Sequence, residues 1–337
     1  MQKLKIGSIG LGRLGYQHAK NIATKVQGAE LYAICDVDEK RAQDVAGELG
    51  VQHVFTEFED MLKLTELDAV VIVSPSTLHT KHIELALDAG KHVFCEKPLG
   101  TSLEECKQAE KAVERHPDLT FMLGFMRRFD ASYRYAKEQI EAGKIGRPVL
   151  FRAYSQDPDK YIEDAIKFSP TSGGEFYDMC VHDIDLARWM IGSEPVTAYA
   201  IGGCYAYPQF AEWQDGDNVG CLLKFADDTM AFLFAGRTAP HGYNVETEII
   251  GTKGILRIAS VPQKNMVEIL DEHGVRKECS QTFLERFEQA FVNEMQAFVE
   301  AVQLGHKLDI SVYDGTQCSV IAGGCTESFK TGELYHF

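Results

Sequence analysis

Leu4-Lys5-Ile6-Gly7-Ser8-Ile9-Gly10-Leu11-Gly12-Arg13-Leu14-Gly15 is the stretch on which the fold turns. An apolar run of strand length, residues 4–9, leads straight into a G-x-G-x-x-G hexamer, and a helical pattern over 13–26 follows at once. A glycine-rich hexamer alone is a weak signal, since such runs occur by chance in ordinary turns. Between a strand and a helix its spacing acquires a physical meaning. Gly10 permits the tight turn, Gly12 admits a pyrophosphate against the backbone, and Gly15 lets helix and strand pack closely. The helix start at Arg13 and Leu14 offers free N–H groups and the positive end of a dipole to the phosphates.

The next apolar run, 30–35, ends at Asp36, 21 residues beyond Gly15. A carboxylate there accepts hydrogen bonds from the adenosine ribose hydroxyls and repels a 2′-phosphate, which points to NAD, with NADP the lesser choice. The alternative for Asp36 is a helix cap or turn residue, and Arg13 could still stack on adenine or meet a phosphate. Further apolar runs at 69–73, 92–95 and 120–123 alternate with amphipathic stretches near 38–49, 57–64, 78–89 and 102–116. This alternation predicts an α/β Rossmann domain, a doubly wound parallel sheet, over residues 1–124.

The pattern changes beyond residue 124. Helical stretches near 130–142 and 174–191 are joined by β-like runs near 148–155, 196–206, 218–225, 229–235, 245–250, 254–258 and 266–270, then by helices near 283–303 and 311–330. Asp227-Asp228 and Gly251-Thr252-Lys253-Gly254 separate consecutive runs as hairpin turns do. Residues 125–337 thus predict an α+β domain with a large, mostly antiparallel open sheet, serving substrate binding and oligomerisation. If helices cover one face only, the other is left for a second subunit.

Composition narrows the partners. The 337 residues exceed what one hydrophobic core usually organises, and 45% apolar with 25% charged residues describes an ordinary globular chain. A net charge of -16 repels phosphate backbones and anionic lipid, so neither nucleic acid nor membrane is an expected partner. The N-terminal apolar run is short and broken by glycine, and no stretch approaches a membrane span, so a cytoplasmic location is expected. Nine cysteines, with no C-x-x-C pair, read as reduced thiols, and no metal is expected.

Two places carry candidate chemistry. Lys97, in Phe94-Cys95-Glu96-Lys97-Pro98-Leu99, falls at the carboxyl end of a predicted strand, where doubly wound sheets bind ligands. Its ammonium could favour a developing alkoxide; a surface lysine in a turn is the plainer alternative. Asp178 and His182 are four residues apart and would share one helix face, where a carboxylate orients an imidazole and raises its basicity. A surface ion pair is the plainer reading of that spacing, and a metal pair lacks further ligands. His79 and His82 sit on a predicted helix as structural or cofactor-adjacent residues.

Taken in order, the glycine fingerprint, Glu96-Lys97-Pro98, Gly124-Phe125-Met126-Arg127-Arg128-Phe129-Asp130 and the Asp178…His182 helix resemble the Gfo/Idh/MocA oxidoreductases over essentially the whole chain. The last two segments are most similar to the family's inositol-oxidising branch. The resemblance implies that Lys97, Asp178 and His182 form the catalytic triad, that the Lys97-Pro98 peptide is cis, and that a homotetramer assembles through the open sheet. Candidate cofactor contacts are Gly10, Gly12, Arg13, Leu14, Gly15, Asp36, Ser74, Pro75, His79, Glu96 and Lys97; candidate substrate contacts are Met126, Arg127, Asp157, His241 and Tyr243. Two departures stand out. Ser76 follows Pro75 where the family often has asparagine, and Pro240-His241-Gly242-Tyr243-Asn244 lies where its inositol enzymes place substrate-contacting aromatics.

The expected reaction is NAD-dependent oxidation of a neutral polyol, myo-inositol to 2-keto-myo-inositol, with His182 as base, Asp178 orienting it and Lys97 stabilising the reacting oxygen. The alternatives are a scyllo-inositol or sugar dehydrogenase using NAD or NADP, and a cofactor-binding regulator without turnover.

Overall fold

The computed structural model describes residues 2–259 and 263–337. The chain gathers into two compact units, Met1–Met126 with Gln289–Ser319, and Arg127–Glu288 with Val320–Phe337.

In the first unit β1 (Leu4–Ile9), β2 (Ala29–Cys35), β3 (His53–Phe55), β4 (Ala69–Ile72), β5 (His92–Glu96) and β6 (Phe121–Gly124) form one parallel sheet in the order β3-β2-β1-β4-β5-β6. The order reverses between β1 and β4, the switch point at which such sheets bind ligands beyond the strand ends. The central strand β4 is apolar throughout, Ala-Val-Val-Ile, because helices bury both faces. Those helices are α1 (Arg13–Thr24), α2 (Glu39–Leu49), α3 (Phe58–Leu62), α4 (His79–Asp88) and α5 (Leu103–Arg115). Two begin on side-chain caps: Asp38 accepts from the Arg41 N–H and Ser102 from the Glu105 N–H, each worth about 1 kcal/mol. β3 escaped the sequence reading because three half-buried residues show no period.

The second unit contains α6 (Ala131–Glu141), β7 (Pro148–Pro158), α7 (Ile162–Ser172), α8 (Val181–Ile191), β8 (Pro195–Gly203), β9 (Asn218–Phe225), β10 (Met230–Ala239), β11 (Asn244–Gly251), β12 (Ile255–Ile258), β13 (Gln263–Asp271), β14 (Gly274–Cys279) and α9 (Phe283–Arg286). α10 (Glu288–Leu304) and α11 (Val312–Thr331) follow, and the chain closes on β15 (Tyr335–His336). Seven strands make one sheet, β12-β11-β7-β10-β9-β8-β15, in which only the β7–β10 pair is parallel; β13 and β14 form a separate hairpin. Register sorts the faces. Ala200, Cys221, Leu233, Ala153 and Thr247 lie across one buried row. The adjoining row on the other face runs Tyr199, Leu222, Phe232 and Arg152, and leaves Tyr199 41% and Leu222 54% exposed. α8, buried along most of its length, covers the inner face and sends Asp183 to Ser155 of β7.

The sequence predicted neither α7, which carries Pro170 near its C-terminal end, nor β14, whose Gly-Val-Arg-Lys-Glu-Cys lacks an apolar alternation. The structure also differs from a single division after residue 124, because residues 289–319 return to the first unit. There Phe298 meets Phe94, Phe291 meets His18, and Gln296 Oε1 accepts the Gln27 N–H at 2.8 Å. Helical period marks α10 in the sequence but not its distant partner. Among the described residues, no helix is long and apolar enough to cross a membrane.

Candidate active site

The glycine turn has the shape a dinucleotide requires. Gly10 adopts φ +85, and a Cβ there would stand 2.4 Å from the Val73 carbonyl oxygen; a Cβ on Gly15 would stand 1.8 Å from that of Gly10. Both positions therefore need glycine for backbone packing. A Cβ on Gly12 would meet nothing within 4 Å, so this glycine opens onto free space, where a pyrophosphate would approach the backbone. Asp36, half-buried past the end of β2, accepts the Leu11 N–H at 2.6 Å and the Asp38 N–H at 2.9 Å. Bracing the turn leaves each carboxylate oxygen a further lone pair for another donor.

Arg41 was not singled out from the sequence, although it lies only five residues beyond Asp36. Its Nε donates to the Leu11 carbonyl at 3.0 Å, and its guanidinium stacks over Tyr16. Leu11 thus holds a carboxylate by its N–H and a guanidinium by its C=O. Asp36→Ser should consequently raise kcat/KM for NADP relative to NAD, with Arg41 available to the 2′-phosphate. An unchanged ratio in steady-state assays would remove Asp36 as the discriminator.

The loops after β4 and β5 are tied together by histidines. His79, buried, places Nδ1 2.7 Å from the Pro98 carbonyl oxygen and Nε2 2.9 Å from that of Ser74. Burial depresses its pKa, against the pull of the two carbonyls. His82, beside the Ser74 hydroxyl at 2.9 Å, is pushed down to about 4 by burial and by its cationic neighbours. With both ring nitrogens on backbone carbonyls, His79 serves the Ser74-Pro75 loop as a support behind it. Lys97, half-buried, starts the turn after β5, and its peptide bond to Pro98 is cis. Glu96, offered by the sequence as a cofactor contact, is buried and turns inward: Oε1 lies 2.7 Å from His18 Nε2, and Oε2 accepts the Lys97 N–H at 3.2 Å.

In the second unit Asp178 sits in a π-helical turn, Phe176–Cys180, that runs into α8, and His182 is the second residue of that helix. Such widened turns recur at functional sites. Arg237 on β10 organises the surroundings. Nη1 donates to Asp157 at 2.6 Å, Nη2 to Asp178 at 2.5 Å, and Nε to Glu175 at 3.0 Å. Glu175 is almost fully buried, and its backbone N–H donates to Asp215. Burial first, then Asp178, Asp215 and Asp157, push its carboxyl well above the usual range against the pull of Arg237. Sequence reasoning missed Arg237 and Glu175. The available signal was one arginine inside the otherwise uncharged strand Met230–Ala239.

Arg127 is committed differently from a mobile substrate arm. It is buried, with Nη1 2.6 Å from Asp183 and 3.1 Å from the Ser155 hydroxyl. Burial opposes its charge, but Asp183 outweighs that and keeps it protonated. Next to it Tyr243 is buried against Phe287, and burial, opposed by Arg127, pushes its hydroxyl up to about 12. Met126 is buried as well. His241 is exposed and lies beside Lys277, Glu278 and Cys279 of the hairpin. The structure thus joins Asp157 with Asp178 through Arg237, and Arg127 with Tyr243.

The strand order, glycine turn and Asp36 define an NAD-binding Rossmann oxidoreductase. Residues 4–125 match the oxidoreductase family with NAD-binding Rossmann fold, and residues 133–257 match the GFO/IDH/MocA C-terminal domain. The chain belongs to the Gfo/Idh/MocA oxidoreductase family. It is similar to the scyllo-inositol dehydrogenase of Lactobacillus casei, solved with bound NAD(H) and scyllo-inositol, at 47% identity and a TM-score of 0.96 over 99% of each chain. The myo-inositol 2-dehydrogenase of Lactobacillus plantarum is 40% identical, with a TM-score of 0.97 over 100% of each chain. The scyllo-inositol 2-dehydrogenase (NAD(+)) of Bacillus subtilis strain 168 is 35% identical over 98% of this chain and 95% of that protein.

Proposed function

We propose that this enzyme oxidises one hydroxyl of an inositol to the corresponding inosose. The observation that carries the reading is the pair Asp157 and Asp178 fixed on Arg237 at 2.6 and 2.5 Å. Two oriented carboxylates are acceptors for the hydroxyls of a neutral polyol. Two carboxylates against the single cation of Arg237 leave the same place unfavourable to a sugar acid or a diphosphate-linked sugar.

NAD supplies the hydride acceptor when bound, and the glycine turn, Asp36 and the Ser74-Pro75 loop hold it. His182 takes the hydroxyl proton as general base. Asp178 orients His182, and the Lys97 ammonium stabilises the negative charge that grows on the oxygen. Arg127 braces Tyr243, so its contribution to substrate is the placement of that phenol. The exposed apolar row of Tyr199 and Leu222 supports a homotetramer built through the open sheet, and a cytoplasmic location belongs to the same reading.

myo-Inositol and scyllo-inositol differ only in configuration at one carbinol carbon, so oxidation there gives the same 2-keto-myo-inositol. myo-Inositol is the first reading. scyllo-Inositol is the second, favoured by the 47% identity to the Lactobacillus casei enzyme that holds it. NADH formation with myo-inositol, scyllo-inositol, D-chiro-inositol and glucose should be supported by at least one cyclitol, and the ranking of kcat/KM names the isomer. The reading sinks if no cyclitol yields NADH while an acidic or nucleotide-linked sugar does.

A further inference from the structure

Three ionisable side chains in the first unit lie behind the catalytic turn. His18 on α1, Glu96 on β5 and Glu294 on α10 bring one ligand atom each within 4.8 Å of the others, and all three are buried. His18 Nε2 is 2.7 Å from Glu96 Oε1 and 3.9 Å from Glu294 Oε1. The His18 ring lies against Phe94 and Phe291. Neither oxygen of Glu294 has a hydrogen-bond partner among the described residues.

Charge decides the state of this group. Two carboxylates this close, away from water and sharing one imidazole, do not both stay ionised. Glu96 has donors for its anion, from His18 and from the Lys97 N–H, whereas Glu294 has none. Glu294 is therefore the member that keeps its proton. Burial, reinforced by the charge of Glu96, pushes its carboxyl well above the usual range, in agreement. A metal is the rival occupant, but the 2.7 Å contact is a direct hydrogen bond, and no fourth protein ligand joins the three among the described residues.

We propose that Glu96 is a positioning residue for Lys97, anchored on His18, with Glu294 beside them as an uncharged acid. The inference rests on the reading of Lys97 as catalytic. One oxygen of Glu96 braces the turn from beneath through the Lys97 N–H, and the other is fixed to α1, the helix that starts directly after Gly10 and Gly12. Gly124 keeps the room for it, since a Cβ there would stand 3.0 Å from Glu96 Cδ and Oε2. The lysine and the phosphate-binding helix thus share one hydrogen-bonded strut.

A double-mutant cycle tests this. Glu96→Leu should lower kcat by about 10²-fold, the scale of a reacting group misplaced by about 1 Å, and leave KM for NAD nearly unchanged. The deuterium isotope effect on hydride transfer should rise as chemistry becomes limiting. Glu96→Gln, which keeps an acceptor oxygen, should recover much of the loss. In a Lys97→Ala background Glu96→Leu should cost nothing more, because Glu96 acts through Lys97. Losses that multiply would overturn the proposal. A fully active Lys97→Ala would instead sink the catalytic reading of Lys97. If Glu96→Leu fails to fold, His18→Gln, which removes the anchor of Glu96, carries the same cycle.

Stability tests Glu294 separately. A carboxyl whose folded pKa is raised stabilises fully only below its unfolded pKa, and that contribution is lost as pH rises through the folded value. Glu294→Gln should therefore gain Tm relative to the parent enzyme as the pH is raised. A gap that moves the other way would show Glu294 ionised against His18, and a parent Tm that falls with chelator would show a metal; either result overturns the uncharged acid.

Discussion

His182→Ala should lower kcat by about 10²–10⁴-fold, the usual worth of a positioned general base. NAD affinity should hardly change, because the glycine turn and Asp36 belong to the other unit. The parent enzyme should lose alcohol oxidation as the pH falls and the imidazole takes a proton, and the variant should lose that dependence along with the rate. Steady-state rates and NAD binding across the pH range check both. Near-normal turnover in the variant would take His182 out of the chemistry.

Arg237→Met should have the largest effect on stability, about 3–5 kcal/mol, because removing one member of a buried ion pair strands its partner's charge. Here Asp157 and Asp178 lose their common cation, and buried Glu175 loses its hydrogen-bond donor. Without it their folded pKa values rise, so the variant keeps most stability below the unfolded carboxylate range and loses it as the pH climbs. The Tm gap to the parent should widen toward alkaline pH, and KM for the polyol should increase as Asp157 and Asp178 lose their fixed orientation. Arg237→Lys keeps a charge but not the planar fork, and should recover only part of either effect. A variant that melts with the parent at every pH would mean that the three contacts contribute as little as surface pairs.

Much of the nucleotide unit is legible because its signals are local. β1, the glycine hexamer and the start of α1 are consecutive, and Asp36 falls at a fixed interval beyond them. Lys97 is legible for the same reason, as it ends a clear apolar run. The substrate half is harder. Asp178 and His182 stand out by spacing, yet Arg237 meets Asp178 across 59 positions and Asp157 across 80, and nothing in either neighbourhood records the meeting. Arg127 could be named but not its state, since Asp183 and Ser155 are brought to it by α8 and β7. β3 and β14 were lost for want of length or alternation.

The late return of the chain matters during synthesis. All six strands of the first sheet have left the ribosome's exit once residue 124 is clear, but α10, which covers Phe94 and His18, is not made until some 160 residues later. Over that interval the nascent unit carries an uncovered apolar surface and a buried-to-be histidine still open to water. Long-range closure of this kind slows folding and exposes the incomplete unit to aggregation. The emerging second unit separates the two halves of the first, so a nascent chain of this protein has reason to be held by a chaperone until its last helices appear.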